Sequence, residues 1–317
     1  MAITRGLLGV LIGVCCAWCV PACFSPSPSE VILFTTIGHR PFQDFIYTVQ
    51  PDGSGVKTFL SPKPGRSYTS ASGNSLRGTF VVTVHEADAA GTVEDHIYAY
   101  CVDSGEWRRL LSGDTTEDGG VLSPDGSQVA FLLSPKTQPE KDSVWLLDIK
   151  SGSARELVPH ADGAWFNFLR WHPDGQQLVF VRFRQGDEGI GSELMQVAAS
   201  GGAAAVLLGE DAGVADVCYS PDGKRLAVWD AGGLEIFDAS SLKRVTILPW
   251  DKLPSGSMLQ AGGIDWSPAR DKIVFSIYDK RNGKYELWTI SSDGSGAKKI
   301  HTSVEGRIQG ASFIRTT

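Results

Sequence analysis

The sequence is poor in features that mark several common protein classes. It contains no run of Lys or Arg residues and carries a formal net charge of −7, which argues against nucleic acid as a partner. No long stretch shows a helical period of apolar residues. Instead, 36 glycines and 16 prolines in 317 residues favour many turns and short strands, and they predict an all-β protein.

Cysteine is also scarce in the body of the chain. Four of the six cysteines lie within the first 23 residues, and the remainder shows no cysteine spacing of the kind that zinc sites use. We interpret the other two, Cys101 and Cys218, as buried small side chains rather than as a disulfide. The sequence also lacks the Gly-x-Ser-x-Gly motif that carries the nucleophile of many serine hydrolases, so hydrolase chemistry of that type is not expected.

What the sequence does contain is a repeated turn. Its copies begin at residues 72, 123, 172, 220 and 267, so that successive copies are 47 to 51 residues apart, a period typical of propeller blades. Proline presets φ in such a turn, aspartate can bond its own backbone two residues on, and glycine accepts a positive φ. The copies, from the clearest to the most altered, are Ser123-Pro124-Asp125-Gly126, Ser220-Pro221-Asp222-Gly223, His172-Pro173-Asp174-Gly175, Ser267-Pro268-Ala269-Arg270-Asp271 and Ser72-Gly73-Asn74-Ser75.

Strand-like runs surround each turn. An apolar run precedes it, a β-rich run follows it, and two further runs complete each repeat, as in the four-stranded blade of a β-propeller. The first repeat, which begins at Val31, lacks an innermost strand, whereas residues 308–314 form such a strand with nothing after it. We therefore predict an all-β, six-bladed propeller of four-stranded antiparallel blades. In this prediction the carboxy-terminal strand joins the amino-terminal blade, which removes both free sheet edges.

Residues 1–23 resemble the leader of a bacterial lipoprotein. Arg5 gives a short positive region, and the apolar stretch that follows has the length of a signal sequence rather than of a membrane span. Cys23 stands where such a leader places the cysteine that becomes acylated. Cys19 or Cys16 are alternative sites, and ordinary signal cleavage near Ala22 or an uncleaved anchor are alternative outcomes.

The leader sets the expected domain organisation and location. Residues 24–30 are rich in Ser and Pro and are expected to form an extended tether, and residues 31–317 form the predicted propeller. Removal of the leader takes away one arginine and changes the net charge from −7 to −8. We expect a monomeric, extracytoplasmic protein, in the periplasm or at the cell surface, that is held at a membrane by its lipid alone.

The propeller region resembles the WD40-like β-propeller repeat of the TolB family over residues 31–317. The resemblance rests on the Ser/His-Pro-Asp-Gly turns and on the strand and turn Glu286-Leu287-Trp288-Thr289-Ile290 and Asp293-Gly294-Ser295-Gly296. TolB is a soluble periplasmic protein with an additional amino-terminal α/β domain that engages partner proteins. This chain has no room for that domain, so the resemblance implies a propeller-only relative in the cell envelope.

One face of the predicted propeller is the candidate binding face. In propellers, the loops between the second and third strands share a face with the loops that link consecutive blades. Here these loops combine aromatic and Arg side chains, which are the usual anchors of interfaces. The alternative is that the aromatic side chains only pack against their own loops. The candidate binding residues are His39, Arg40, Phe42, Trp165, Trp250, Asp251 and Arg281.

A hairpin in the second repeat carries the best candidate for a metal site. If its loop turns at Ala90 and Gly91, His85 and His96 lie opposite each other, and the two imidazoles could share a zinc or similar ion. The alternative is a solvated acidic hairpin tip. No cofactor is otherwise expected, because the Asp-Gly turns lack the spacing of calcium loops and are interpreted as turn formers.

The sequence therefore predicts two classes of function, with a propeller of purely structural role as a third alternative. The first is a non-enzymatic binding module whose partner is an envelope protein or a polysaccharide. The second is a propeller enzyme or sugar-binding protein with a site at the mouth of the channel, where metal at His85 and His96 could assist. Arg170, Asp216 and Asp265 fall in innermost strands and are expected to line that channel or to pair with one another and with backbone there.

Overall fold

A computed structural model of the chain shows a ring of six β-sheets. Each sheet is one blade, and β-strands are the dominant element in the described part of the chain, with one short 3-10 turn at Glu210–Ala212. The described residues contain no helix long and apolar enough to cross a bilayer. The structure describes residues 29–38, 42–76, 78–87, 91–113, 115–138, 140–186, 189–230, 232–249, 252–253, 257–259, 263–269, 271–303 and 306–316.

The strands follow the predicted four-per-blade order. The first three blades contain β1 (Glu30–Ile37), β2 (Phe45–Val49) and β3 (Lys57–Leu60); β4 (Arg66–Ser72), β5 (Thr79–Ala87), β6 (Val93–Cys101) and β7 (Glu106–Arg109); and β8 (Thr115–Leu122), β9 (Gln128–Pro135), β10 (Ser143–Asp148) and β11 (Ala154–Val158). Neighbouring strands in each blade pair antiparallel.

The other three blades contain β12 (Ala164–Trp171), β13 (Gln177–Gly186), β14 (Gly189–Ala198) and β15 (Ala205–Leu208); β16 (Asp216–Tyr219), β17 (Arg225–Asp230), β18 (Gly233–Asp238) and β19 (Arg244–Pro249); and β20 (Ser257–Leu259), β21 (Asp265–Trp266), β22 (Lys272–Asp279), β23 (Lys284–Ser291) and β24 (Lys298–Thr302). The last strand is β25 (Arg307–Arg315). Both β20 and β21 pair with β22, so the innermost position of the sixth blade is occupied by two short segments.

The carboxy-terminal strand closes the ring, as predicted. β25 pairs antiparallel with β1 along its length, with Leu33 opposite Ser312, and it occupies the innermost position of the first blade. At the end of this pair the backbone N–H of Thr316 donates to the carbonyl of Ser29 at 2.9 Å. The first and last described residues therefore lie side by side.

The repeated turns have the predicted chemistry. In the clearest copy the N–H of Gly126 donates to the carbonyl of Ser123 at 2.9 Å, with Gly126 at a φ of 76°. The Asp125 carboxylate accepts the N–H of Ser127 at 3.0 Å and the Ser123 hydroxyl at 2.6 Å. Because these bonds favour the charged carboxylate, they hold the pKa of Asp125 below its usual value. The Asp side chain thus acts as a turn former in this copy.

The most altered turn obtains its carboxylate from another blade. Ala269 stands where the clear copies have aspartate, and the Ser267 hydroxyl instead donates to the Glu30 carboxylate at 2.8 Å. The N–H of Ala269 donates to the same carboxylate at 2.8 Å. Glu30 is buried at the start of β1. The sixth blade is therefore fastened to the first by the side chain that completes its turn.

The hydrophobic core lies between blades rather than in one central cluster. Six buried clusters each combine residues of two neighbouring blades. Phe131, Phe180 and Phe275 occupy the same position of the second strand in three blades, and each is fully buried. Burial of a side chain of this size is a main source of stability, so each blade depends on its neighbours.

The ring has two chemically different ends. We call the end with the repeated turns the lower end, and the end with the blade-linking loops and the loops between second and third strands the upper end. Cys218 is buried, as predicted, whereas Cys101 is only half-buried, because it lies near a lower turn at the end of β6. Both cysteines are free.

Candidate functional site in the central channel and at the upper end

The innermost strands surround a channel. Its cavity has a volume of about 480 Å³ and is lined by residues of blades 1, 2, 3, 4 and 6. The wall combines carboxylates, two amides, guanidinium groups and hydroxyls with the aromatic residues Phe168, Trp171 and Phe313. A cavity of this size and mixed polarity is typical of sites that bind small molecules.

Bulges in the inner strands direct polar side chains into the channel. The pairing of β8 with β9 shifts after Asp118, and that of β12 with β13 shifts after Asn167. The following residues, Gly119 and Phe168, have φ values of 62° and 55°. Asp118 and Asn167 each accept the N–H of the next residue, at 2.6 and 2.8 Å. The same local bond thus orients an equivalent side chain in two neighbouring blades.

Charged side chains in the wall join blades to each other, as predicted for innermost strands. Arg170 lies 3.4 Å from the buried Asp216 carboxylate in the next blade. Asp216 also accepts the N–H of Ile264 at 3.1 Å. In turn, Asp265 accepts the N–H of Phe313 at 2.7 Å. These contacts continue from blade 4 through blades 5 and 6 to the closing strand.

Two channel carboxyls have strongly raised pKa values. Burial raises the pKa of Asp118 to about 6, and the nearby Asp95 carboxylate adds to the effect. The Asp118 side chain nevertheless remains open to the channel. Burial also raises the pKa of Asp265 to about 6, although its bond from Phe313 and the charge of Arg170 oppose the shift. Both groups therefore take up protons in the folded state at a pH where the unfolded chain has released them.

This arrangement predicts a pH dependence of stability. A raised carboxyl pKa means that the folded state binds the proton more tightly than the unfolded state does. The contribution of Asp118 and Asp265 to the free energy of unfolding therefore falls as the pH rises from about 4 to about 6. Asp118→Asn should therefore stabilise the protein at pH 7.5. The expected gain is about 1 kcal/mol, which is less than the full pKa shift implies because solvent in the open channel screens the charge. The substitution should have little effect at pH 4.5. Urea unfolding at the two pH values measures the difference.

Asp125→Asn is the matched control for that experiment. Its carboxylate pKa is lowered by turn hydrogen bonds, so the charged form stabilises the folded state above the usual aspartate pKa and the benefit is lost in acid. We expect Asp125→Asn to destabilise at pH 7.5, the opposite sign from Asp118→Asn. The same sign for both substitutions would contradict the assignment.

The structure places three of the predicted binding residues at the upper end, in different blades. Phe42 is half-buried, with its ring 5.9 Å from that of His85. Trp165 belongs to the start of β12 rather than to a loop, and it stacks on Phe183 of the same blade at 5.5 Å. The 55% exposed Arg281 side chain pairs with Asp279 at 2.8 Å. His39, Arg40, Trp250 and Asp251 lie outside the described residues, as does Cys23.

The predicted pairing of His85 with His96 is wrong by one residue. His85 lies opposite Asp95 and His96 lies opposite Val84. Because neighbouring strand residues point to opposite faces, the two imidazoles lie on different faces of the blade. His85 contacts the Asp95 carboxylate at 2.9 Å. No group of three or more His, Cys, Asp or Glu side chains suited to a metal ion occurs in the part of the chain that the structure describes.

His96 instead belongs to a buried polar cluster that the sequence did not reveal. Its Nδ1 lies 2.9 Å from Glu117 in the next blade, and its Nε2 lies 3.2 Å from Glu94. Lys136 approaches Glu94 at 2.8 Å. His96 is 3% exposed and Glu117 is 0% exposed. No motif in the sequence marks this cluster, because His96 and Glu117 lie 21 residues apart in the chain.

Comparison with curated proteins gives two partial matches. The chain is 34% identical over 111 residues to the uncharacterized peptidase YuxL of Bacillus subtilis, a match that covers 33% of this chain and 16% of that protein. It is 32% identical over 87 residues to the uncharacterized protein Atu1656 of Agrobacterium fabrum, covering 27% of this chain and 28% of that one. The matches thus span less than a third of either relative. No family model matches the chain.

Solved structures share the fold. TolB from Acinetobacter baumannii superimposes with a TM-score of 0.67 at 16% identity, covering 90% of this chain and 66% of that one. A putative TolB from Agrobacterium tumefaciens superimposes with a TM-score of 0.60 at 17% identity, covering 89% of this chain and 91% of that one. An oligogalacturonate lyase in complex with manganese gives 0.55 at 13% identity, with 87% and 74% covered. This protein is therefore a six-bladed β-propeller with a fold similar to that of TolB structures.

Proposed function

We propose that the protein is a non-enzymatic binding module of the cell envelope, exported and held at a membrane by a lipid on Cys23. Its upper end would bind another envelope protein or a polysaccharide. The location rests on the lipoprotein-like leader in the sequence. The similarity to TolB structures supports the same compartment. A binding role is favoured over catalysis because the sequence carries no Gly-x-Ser-x-Gly motif.

The observation that carries this proposal is the contrast between the two ends. At the lower end, Asp125, Asp174 and Asp222 bond to the backbone of their own turns. Their side chains are therefore already used within the ring. At the upper end the loops differ from blade to blade. Ile190, at the start of β14 beside the β13–β14 turn, is 63% exposed, and Arg281, in the loop between β22 and β23, is 55% exposed. Apolar and Arg side chains that protrude from a rigid ring suit partner binding.

A matched pair of substitutions tests the binding face. Ile190→Asp places a charge at the upper end, where Ile190 is 63% exposed, and Val245→Asp places one on the outer strand β19, where Val245 is 60% exposed. We expect Ile190→Asp to reduce, by tenfold or more, the yield of partner crosslinked in native envelopes, because an unpaired charge in an interface is costly. Val245→Asp should leave the yield unchanged. Equal yields from both variants would remove the upper end from consideration.

Cys23→Ser tests the anchor separately. The substitution removes the thiol to which the lipid would attach, so we expect the protein to move from the membrane fraction to the soluble fraction while its thermal unfolding stays unchanged. Radiolabelled fatty acid should be incorporated into the wild type and not into the variant. Retention of Cys23→Ser in the membrane fraction would count against lipidation.

A further inference from the structure

We propose that the central channel binds a neutral polyhydroxylated ligand of one or two sugar rings. The channel volume of about 480 Å³ lies within the range of small-molecule sites and accommodates a ligand of this size. The site lies inside the ring, so it is separate from the partner-binding surface proposed for the upper end. The two proposals therefore stand or fall independently.

Asp118 and Asn167 provide the central recognition element. Each uses its Oδ1 to accept the N–H of the following residue, which leaves Asp118 Oδ2 and Asn167 Nδ2 for the channel. A carboxylate oxygen accepts hydrogen bonds and an amide nitrogen donates them. A hydroxyl group does both, so the hydroxyls of a sugar can donate to Asp118 and accept from Asn167.

The wall contains further polar atoms that lack a partner. Thr69 Oγ1 and Arg307 Nε are buried and have no hydrogen bond within the described parts of the chain. Both residues line the channel. A buried polar atom without a partner costs free energy that a suitable ligand atom can recover. Thr69 can donate or accept and Arg307 can donate, which again suits hydroxyl groups.

The charges of the wall disfavour a ligand with a strong charge of either sign. Asp95, Asp118 and Asp265 line the channel together with Arg170 and Arg307. A cationic ligand would meet the guanidinium groups and an anionic ligand would meet the carboxylates. A neutral ligand with many hydroxyls can bond to both kinds of group.

Aromatic residues complete the match. Phe168 and Trp171 form part of the same wall, and Phe168 packs against Phe183 at 6.2 Å. The carbon-bound hydrogens of a sugar ring give it apolar patches between its hydroxyls. A wall that alternates apolar and polar groups fits such a ligand better than it fits a uniformly polar one.

Thermal unfolding with a defined set of probes tests the proposal. The probes are glucose, N-acetylglucosamine, xylose, maltose and trehalose at 50 mM, with putrescine and citrate as charged comparisons. A ligand that binds the folded state raises Tm, and we expect at least one sugar to raise it by about 2 °C or more, and putrescine and citrate to raise it less. Saturation-transfer NMR with the same sugar should show direct contact. The variant Gln185→Leu, with a side chain exposed on β13 outside the channel lining, should respond like the wild type.

A side-chain exchange tests the recognition pair without removing the local bonds that orient it. Asp118→Asn leaves two amides and Asn167→Asp leaves two carboxylates, so each should reduce sugar affinity at least tenfold. The double variant Asp118→Asn/Asn167→Asp restores one donor and one acceptor, and we expect it to recover most of the affinity. Three results would overturn the proposal. The first is that no sugar in the set raises Tm or gives a saturation-transfer signal, and the second is that putrescine or citrate raises Tm more than every sugar does. The third is that the single variants bind sugar as tightly as the wild type.

Discussion

Gly306→Ala is expected to lower the free energy of unfolding by about 3 kcal/mol. Gly306 directly precedes the closing strand β25 and has a φ of 78°, where a side chain is disfavoured. A Cβ at this position would also lie 2.0 Å from the carbonyl oxygen of Ile37. Because that oxygen belongs to the backbone of β1, the clash can be relieved only by moving the strand pair that closes the ring.

Gly65→Ala is the matched control. Gly65 occupies the same position in the link that precedes β4, and it has a similar φ of 70°, but no atom lies within 4 Å of the added Cβ. We expect the free energy of unfolding to fall by about 1 kcal/mol, which is the cost of placing a side chain at a positive φ without a steric clash. Urea unfolding of both variants gives the difference. Equal losses would mean that the junction of β1 and β25 relaxes freely and does not limit stability.

Glu117→Ala is expected to cost about 3–5 kcal/mol, the range found when one partner of a buried pair is removed. The carboxylate bonds to His96 at 2.9 Å and accepts the Thr115 hydroxyl at 2.6 Å. Glu117 is fully buried at the boundary between blades 2 and 3. Its removal leaves a cavity and takes one buried partner from His96.

The control uses a second pair of the same kind and length. His85 and Asp95 are also 2.9 Å apart, but their side chains are 33% and 30% exposed. We expect His85→Ala to cost about 1 kcal/mol or less, because water replaces the lost partner. The comparison is made by urea unfolding at pH 7.5. A loss at His85 as large as that at Glu117 would show that burial does not set the strength of these pairs.

The sequence predicted the ring because its signals are local and repeated. Each turn is determined by three or four adjacent residues, as the bonds around Asp125 illustrate. The closure was also predictable, because the first repeat lacks its innermost strand and the last strand of the chain has no repeat of its own. The partner of the altered turn was not predictable: Glu30 lies 237 residues from Ser267, and nothing near either residue points to the other.

The candidate site was predictable only in part. The positions of Arg170 and Asp265 in the channel wall follow from their places in innermost strands. The register of the hairpin that carries His85 does not follow, since a shift of one residue reverses the face of every side chain. The recognition pair Asp118 and Asn167 depends on strand bulges. In blade 3 the residue with positive φ at the bulge is Gly119, whereas in blade 4 it is Phe168, so the two bulges share no residue type that would mark them in the sequence.

The neighbouring positions of Ser29 and Thr316 have a consequence for orientation. Ser29 lies at the lower end of the first blade and bonds to Thr316 there. Cys23 is six residues upstream, and six extended residues span about 20 Å. If Cys23 carries a lipid, a connecting segment of this length holds the lower end of the ring, with its repeated turns, next to the bilayer. The mouth of the channel at the opposite end then points away from the membrane, toward anything that diffuses through the surrounding compartment.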